Sequence, residues 1–250
     1  MGEKFSANPV TGTGSFSVPV YTSPGRSGFG PQLSLSYDSG AGDGPFGFGW
    51  SLSLPAITRK TDKGLPRYQD ADESDVFILS GAEDLVPLPD EDQPSKPRPV
   101  DGVKYRIRRY RSRIEGLFAR IERWTRESEP TDVFWRSISK DNITTWYGKT
   151  PDSRIVDPTG ASRIFSWLIC ESYDDKGTAI VYECAHEDEK EDPADVDLSQ
   201  AHERNRTNES RSANRYPKRI KYGNRAANRD TSWNPIDPAP RRRLDVRGGL

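Results

Sequence analysis

Short stretches in which apolar and polar residues alternate one by one recur along this chain, and they restrict it to β-structure. Gln32-Leu33-Ser34-Leu35-Ser36-Tyr37 is the clearest. In an extended backbone Leu33, Leu35 and Tyr37 fall on one side and Ser34 and Ser36 on the other. Residues 15–21 and 50–54 repeat the pattern. Pro19 makes the first an edge or bulged strand, and Pro55 ends the second. Further strands are expected over residues 75–80, 85–88, 103–110, 117–124, 133–139, 144–147, 164–172, 178–184 and 219–222. The stretches 164–172 and 178–184 read as a hairpin around Asp174-Asp175-Lys176-Gly177. No segment sustains the 3.6-residue apolar period of a helix. The fold class expected is all-β, an antiparallel meander forming part of a curved sheet, with long loops.

Composition decides whether such strands can hold a core. Of 250 residues, 32% are hydrophobic and 30% charged, which is polar for a globular chain. The aromatic share is 10%, with 6 Trp, 10 Tyr and 9 Phe, and rings of that size can build a thin core between sheets. The 37 basic residues nearly cancel the 38 acidic ones, so no global field points to nucleic acid or an anionic membrane. No apolar run approaches the ~20 residues that span a bilayer, and direct membrane insertion is not expected. The opening Met1-Gly2-Glu3-Lys4-Phe5 lacks the apolar stretch of a secretory signal. Synthesis in the cytoplasm is expected, with release to the extracellular space by another route.

Residues 1–10 read as a flexible N-terminus and 11–225 as one β domain. Within it, 187–215 opens with Glu187-Asp188-Glu189-Lys190-Glu191-Asp192, turns Arg- and Asn-rich, and reads as a charged, disordered insertion. The proline-rich stretch 87–99 reads as a loop. Residues 226–250 read as an irregular, truncated tail. Cys170 and Cys184 flank the hairpin turn and are expected to be reduced, partly buried thiols.

The candidate chemical motifs each have a plainer reading. Gly42-Asp43-Gly44-Pro45-Phe46-Gly47 spells GxGxxG, but it runs into Phe48-Gly49-Trp50 and a strand. A dinucleotide site needs it to open a helix, so a turn is expected. Asp70-Ala71-Asp72-Glu73-Ser74-Asp75 offers carboxylates without the spacing of a calcium loop and reads as a solvated turn. Lys104, Arg106 and Arg108 share one strand face, with Tyr105 and Ile107 on the other. They read as a solvated outer face rather than a track for nucleic acid. His186 and His202 lie in or beside the charged insertion, without the rigid frame that catalysis or zinc needs. The Glu-x-Glu runs at Glu187-Asp188-Glu189 and Glu189-Lys190-Glu191 lack the Ser-Thr-Ser strand of ADP-ribosyltransferases. No catalytic, cofactor-binding or metal-binding residue is therefore assigned, no cofactor is expected, and the chain is not expected to be an enzyme.

One ordered set of words does carry a resemblance. Thr11-Gly12-Thr13-Gly14-Ser15-Phe16-Ser17-Val18-Pro19 is followed by Ser23-Pro24-Gly25-Arg26 and Gly30-Pro31-Gln32-Leu33-Ser34-Leu35-Ser36-Tyr37. Then come Gly47-Phe48-Gly49-Trp50-Ser51-Leu52, Ile57-Thr58-Arg59-Lys60, Asp62-Lys63-Gly64-Leu65-Pro66-Arg67-Tyr68 and Arg219-Ile220-Lys221-Tyr222-Gly223-Asn224. This order resembles the SpvB N-terminal family, which includes the B subunits of insecticidal toxin complexes (Tc toxins). The resemblance implies part of the wall of a cocoon-like β-sheet shell that encloses and delivers a toxic polypeptide. It implies a C-type toxin subunit and a pore-forming A-type subunit as partners of the parent protein. In the plasmid virulence protein of the family, a similar segment precedes an ADP-ribosyltransferase domain. A cell-surface or adhesion β module is the alternative outside the toxin class.

Overall fold

In the computed structural model, residues 4–9, 12–44, 46–80, 84–94, 96–114, 116, 118–186, 210, 212–224, 226–227 and 242–245 are described. Among them the expected all-β, antiparallel architecture holds, with four three-residue 3₁₀ turns between strands. The chain divides into two units. One comprises residues 1–54, 176–181 and 218–250, the other 55–175 and 182–217.

In the first unit, β1 (Lys4–Asn8), β2 (Thr13–Val20), β3 (Leu33–Asp38) and β4 (Trp50–Leu52) form an antiparallel sheet in chain order. The alternation in sequence becomes two chemically opposite faces. Phe5, Phe16, Tyr37 and Trp50 stand in one cross-strand row and Val18, Leu35 and Leu52 in the next. Phe16 meets Trp50 edge-on at 6.5 Å, and Tyr37 lies 5.4 Å from it. The other face carries the rows Ser6–Ser15 and Ser17–Ser36–Ser51. Ser34 Oγ donates to Ser53 Oγ at 3.0 Å there.

The second unit contains β5 (Ala56–Arg59), β6 (Phe77–Leu79), β7 (Asp84–Pro87), β8 (Arg98–Val100), β9 (Val103–Ser112) and β10 (Arg120–Arg126). They are followed by β11 (Glu129–Ile138), β12 (Thr144–Tyr147), β13 (Arg154–Val156) and β14 (Ile164–Tyr173). The sheet runs β12-β11-β10-β9-β7-β6-β5-β14, and β12 also pairs with β14. The ladder therefore closes into an eight-stranded antiparallel barrel. The curved wall expected from sequence shuts on itself here.

Which face lines the lumen follows from one contact. Phe77 on β6 and Trp135 on β11 sit half-way round the ring from each other, yet their rings are 5.0 Å apart. Trp167 joins both, at 5.7 Å from Phe77 and 5.9 Å from Trp135, and Tyr110 lies 4.9 Å from Trp135. Trp167 Nε1 donates to the Val133 carbonyl at 2.8 Å. The lumen is thus packed with rings, and their edge-to-face geometry adds to the gain from burial. On the opposite face, Trp124, Phe134 and Trp146 form a second aromatic layer with Ile107 and Cys170.

The remaining strands are β15 (Ala179–Ala185), β16 (Tyr216–Tyr222) and β17 (Arg242–Asp245). In the first unit, buried Asn224 fastens the chain after β16: its Oδ1 accepts from Ala179 N at 2.9 Å, and its Nδ2 donates to Gly177 O at 2.8 Å.

Several segments differ from the sequence reading. Lys4–Asn8, expected to be flexible, pairs with β2, because Phe5 and Ala7 alternate with polar residues as a strand requires. Within the expected irregular tail, Arg242–Asp245 pairs with β16 through its backbone. The proline-rich loop contains β8, which turns into β9 through Asp101-Gly102. Their φ values of 49° and 78° are those of a type I′ hairpin turn. The insertion at 187–215 lies outside the described residues apart from 210 and 212–215.

Gly148 is the tightest backbone approach in the barrel. Its φ is +66°, and a Cβ there would land on the Trp167 ring. Gly148→Ala should lower stability in a urea titration by about 3 kcal/mol or more. Gly102→Ala, at φ +78° with nothing within 4 Å, should cost only about 1 kcal/mol.

Candidate functional site

The most unusual chemistry in the barrel is a buried arginine. Alternation along β5 places Ile57 and Arg59 on the lumen face, and Arg59 is 1% exposed. Its Nε donates to the Ile164 carbonyl at 2.7 Å. Nη1 donates to Asp70 Oδ1 at 2.6 Å and Asp75 Oδ2 at 2.8 Å, and Nη2 to Asp70 Oδ2 at 3.0 Å. The guanidinium also lies over the rings of Tyr68, Phe77 and Trp167, at 4.8, 5.0 and 5.4 Å. Both charge and donors are therefore met inside an apolar lumen.

The acidic turn read as solvated is thus built inward. Asp75 accepts from the backbone N–H groups of Arg67 and Tyr68, at 2.8 and 2.9 Å. Burial alone would push its carboxyl up, but those two N–H groups and Arg59 outweigh it and hold the carboxyl below its usual range. Glu73 pairs with Arg108. This corrects the reading of β9 as well: Lys104 and Arg106 are exposed, but the same face leads through Arg108 to buried Tyr110 and Ser112 in the lumen. Arg123, also on that face, stands over Phe77 and Tyr110. An open cleft of about 340 Å³ at this end is walled by Asp70, Arg106, Arg123, Arg126 and Glu127.

A second buried charge lies on the opposite face. Glu122 is fully buried; its Oε1 accepts from Arg120 Nε at 2.5 Å, and its Oε2 from Arg136 Nη2 at 2.6 Å and Trp124 Nε1 at 3.1 Å. Burial raises its carboxyl, while Arg136 and Arg120 more than reverse this and hold it low. Arg136 in turn lies over Trp124 and Trp146. These groups are ion pairs whose partners come from different strands and turns.

The other sequence motifs fall elsewhere. The glycine run forms the turn between β3 and β4, with Gly49 N donating to Gly42 O at 3.0 Å. His186 is exposed at the end of β15, while His202 and the Glu-x-Glu runs lie outside the described residues. Cys170 and Cys184 are free thiols; burial pushes both up, Cys184 to about 12, which keeps them protonated at neutral pH. Among the described residues no group of three or more His, Cys, Asp or Glu could hold a metal ion. Arg59, Glu122 and Arg136 were not singled out by sequence. The usable signal for Arg59 was an arginine in phase with Ile57 just ahead of an acidic turn.

Known structures share this architecture. The crystal structure of TcdB2-TccC3 matches 91% of this chain with a TM-score of 0.76 and 32% identity, and this chain spans 10% of that one. The N-terminal domain of effector protein SpvB from Salmonella typhimurium strain LT2 matches 90% of this chain and 70% of its own, with a TM-score of 0.70 and 33% identity. The class is the closed antiparallel β-barrel domain that these structures share. Residues 8–242 match the family described as Salmonella virulence plasmid 65kDa B protein, SpvB, and the chain belongs to that family. Mono(ADP-ribosyl)transferase SpvB of Salmonella typhimurium is 35% identical over 95% of this chain, which spans only 39% of that relative's length.

The two buried carboxyls held low, Asp75 and Glu122, set an acid limit. A carboxyl held low in the folded state contributes stability fully above its unfolded value, near pH 4, and loses it as pH falls through the folded value. Wild-type melting temperature should therefore hold from neutrality to about pH 5 and fall progressively below pH 4. Asp75→Asn, which removes one carboxylate from Arg59, should destabilise by about 3 kcal/mol at pH 7. Its decline on acidification should be shallower than that of the wild type, as read by calorimetry across pH.

Proposed function

We propose that this chain is a non-catalytic wall segment of a bacterial toxin shell, carried in a longer protein that encloses and delivers a toxic polypeptide. The observation that carries this reading is the match to TcdB2-TccC3 over 91% of the chain at 32% identity, within a chain about ten times the matched span. A lumen packed with Phe77, Trp135 and Trp167 supports a structural role, as do charges paired off by neighbours. On this reading the parent protein works with a C-type toxin subunit and a pore-forming A-type subunit. It is made in the cytoplasm and acts after release outside the cell. The identity to Mono(ADP-ribosyl)transferase SpvB supports a second reading, in which the segment is the non-catalytic delivery portion of an ADP-ribosylating protein.

Co-expression of the parent protein with its cognate C-type subunit separates these. On the shell reading the two copurify, and the cargo region resists protease until the complex is denatured. A parent that purifies alone, or a cargo cleaved as fast as free polypeptide, would defeat it. Transfer of ADP-ribose by the parent to a protein acceptor would favour the second reading.

A further inference from the structure

The barrel carries a cleft whose described charged lining residues are all arginines. Where β7 runs out and β10 begins, an open hollow of about 440 Å³ is lined by Leu88, Arg109, Arg111, Phe118, Arg120 and Ile121 among others. Tyr110 points into the lumen, so Arg109 and Arg111, its neighbours along β9, project from the outer wall. Among the described lining residues there is no carboxylate. Arg109 and Arg120 lean on one buried acid, Glu122, at 4.0 and 2.5 Å, and Arg136 shares that same acid at 2.6 Å. Three guanidiniums thus divide a single negative charge. Arg111 is exposed, and among the described residues no carboxylate pairs with it. The acidic turn Asp90–Asp92 that follows Leu88 sends Asp90 to Arg108 instead.

The rim adds apolar surface held at a conformational cost. Phe118 is 68% exposed and has φ +47°, a left-handed conformation that is unfavourable for a bulky side chain. Such strained positions cluster at ligand-contacting sites, although Tyr68, at φ +58°, shows that packing alone also holds one. Ile114, in the same β9–β10 connection, is 66% exposed.

We propose that this cleft docks an extended acidic polypeptide, in which an aspartate or glutamate meets Arg111 and Arg109 and an adjacent aliphatic or aromatic side chain packs on Phe118 and Leu88. Guanidiniums recognise carboxylates, and the apolar rim supplies the anchor that charge alone does not. A nucleic acid fits less well: a single exposed ring offers no platform for successive bases. The proposal does not depend on the shell reading, because it concerns the isolated chain.

Fluorescence anisotropy with the full chain and a labelled peptide, Gly-Asp-Leu-Glu-Phe-Asp-Gly, tests it, with an all-acidic peptide and a single-stranded oligonucleotide as comparison probes. Saturable binding of the first peptide is expected, at a Kd of about 100 μM. Arg111→Glu, which disturbs no described pair, should weaken it by about tenfold. Phe118→Gly, which relieves the backbone, should weaken the apolar-containing peptide but leave the all-acidic one unchanged. Unaltered circular dichroism spectra and melting temperatures establish that both variants fold. Absence of binding at about 1 mM peptide, affinity indifferent to Arg111→Glu, or tighter binding of the oligonucleotide would each overturn the proposal.

Discussion

The closure of the barrel turns on the clamp around Arg59. A guanidinium removed from water is destabilising by several kcal/mol unless both its charge and its donors find partners. Arg59 finds them in three places at once: the Ile164 carbonyl on β14, Asp70 in the turn after β5, and Asp75 just before β6. The β5–β14 seam and the loop that carries Asp70 and Asp75 are therefore held by one side chain. Tyr68, Phe77 and Trp167 surround it and exclude water, which strengthens each of those hydrogen bonds.

A chain with so many charged residues builds a core by placing aromatic layers on both sides of the same strands. Trp135 and Phe134 are neighbours on β11; the first fills the lumen and the second joins the outer layer with Trp124 and Trp146. Arginine makes this arrangement economical. Arg59 and Arg123 on the inner face, and Arg136 and Arg98 on the outer, lay their planar heads over rings. Arg59, Arg123 and Arg136 then serve both as covering surface and as partners for Asp70, Asp75 and Glu122.

Much of this was legible in the alternation of single residues. Leu33, Leu35 and Tyr37 fall on one face as their spacing requires, and the glycine run after them forms a turn because it leads into Trp50 and a strand. Elements that depend on partners were not legible. β8 is hidden by its prolines, since only its pairing with β9 shows that Pro99 lies on an edge strand. The turn at residues 70–75 looks solvated in sequence because its carboxylates are local, whereas the guanidinium that draws it inward lies 11 to 16 residues earlier. Glu122 and Arg136 were illegible for the same reason: a charged residue in an alternating strand reads as solvated until its cross-strand partner is known.

The seam between the first and last strands of the barrel also governs how the chain must acquire its structure. Thr58 and Ser166 exchange a side-chain hydrogen bond across 108 positions of sequence. Loop closure over that distance carries an entropy that is recovered only when both strands are present. On a ribosome emitting about 5–20 residues per second, β5 waits several seconds or more before its partner emerges. During that interval its ladder groups on the β14 side are unmatched, a state prone to association with other chains. The final zippering of this seam is thus the natural slow step of folding, because the barrel cannot close until β14 has been made.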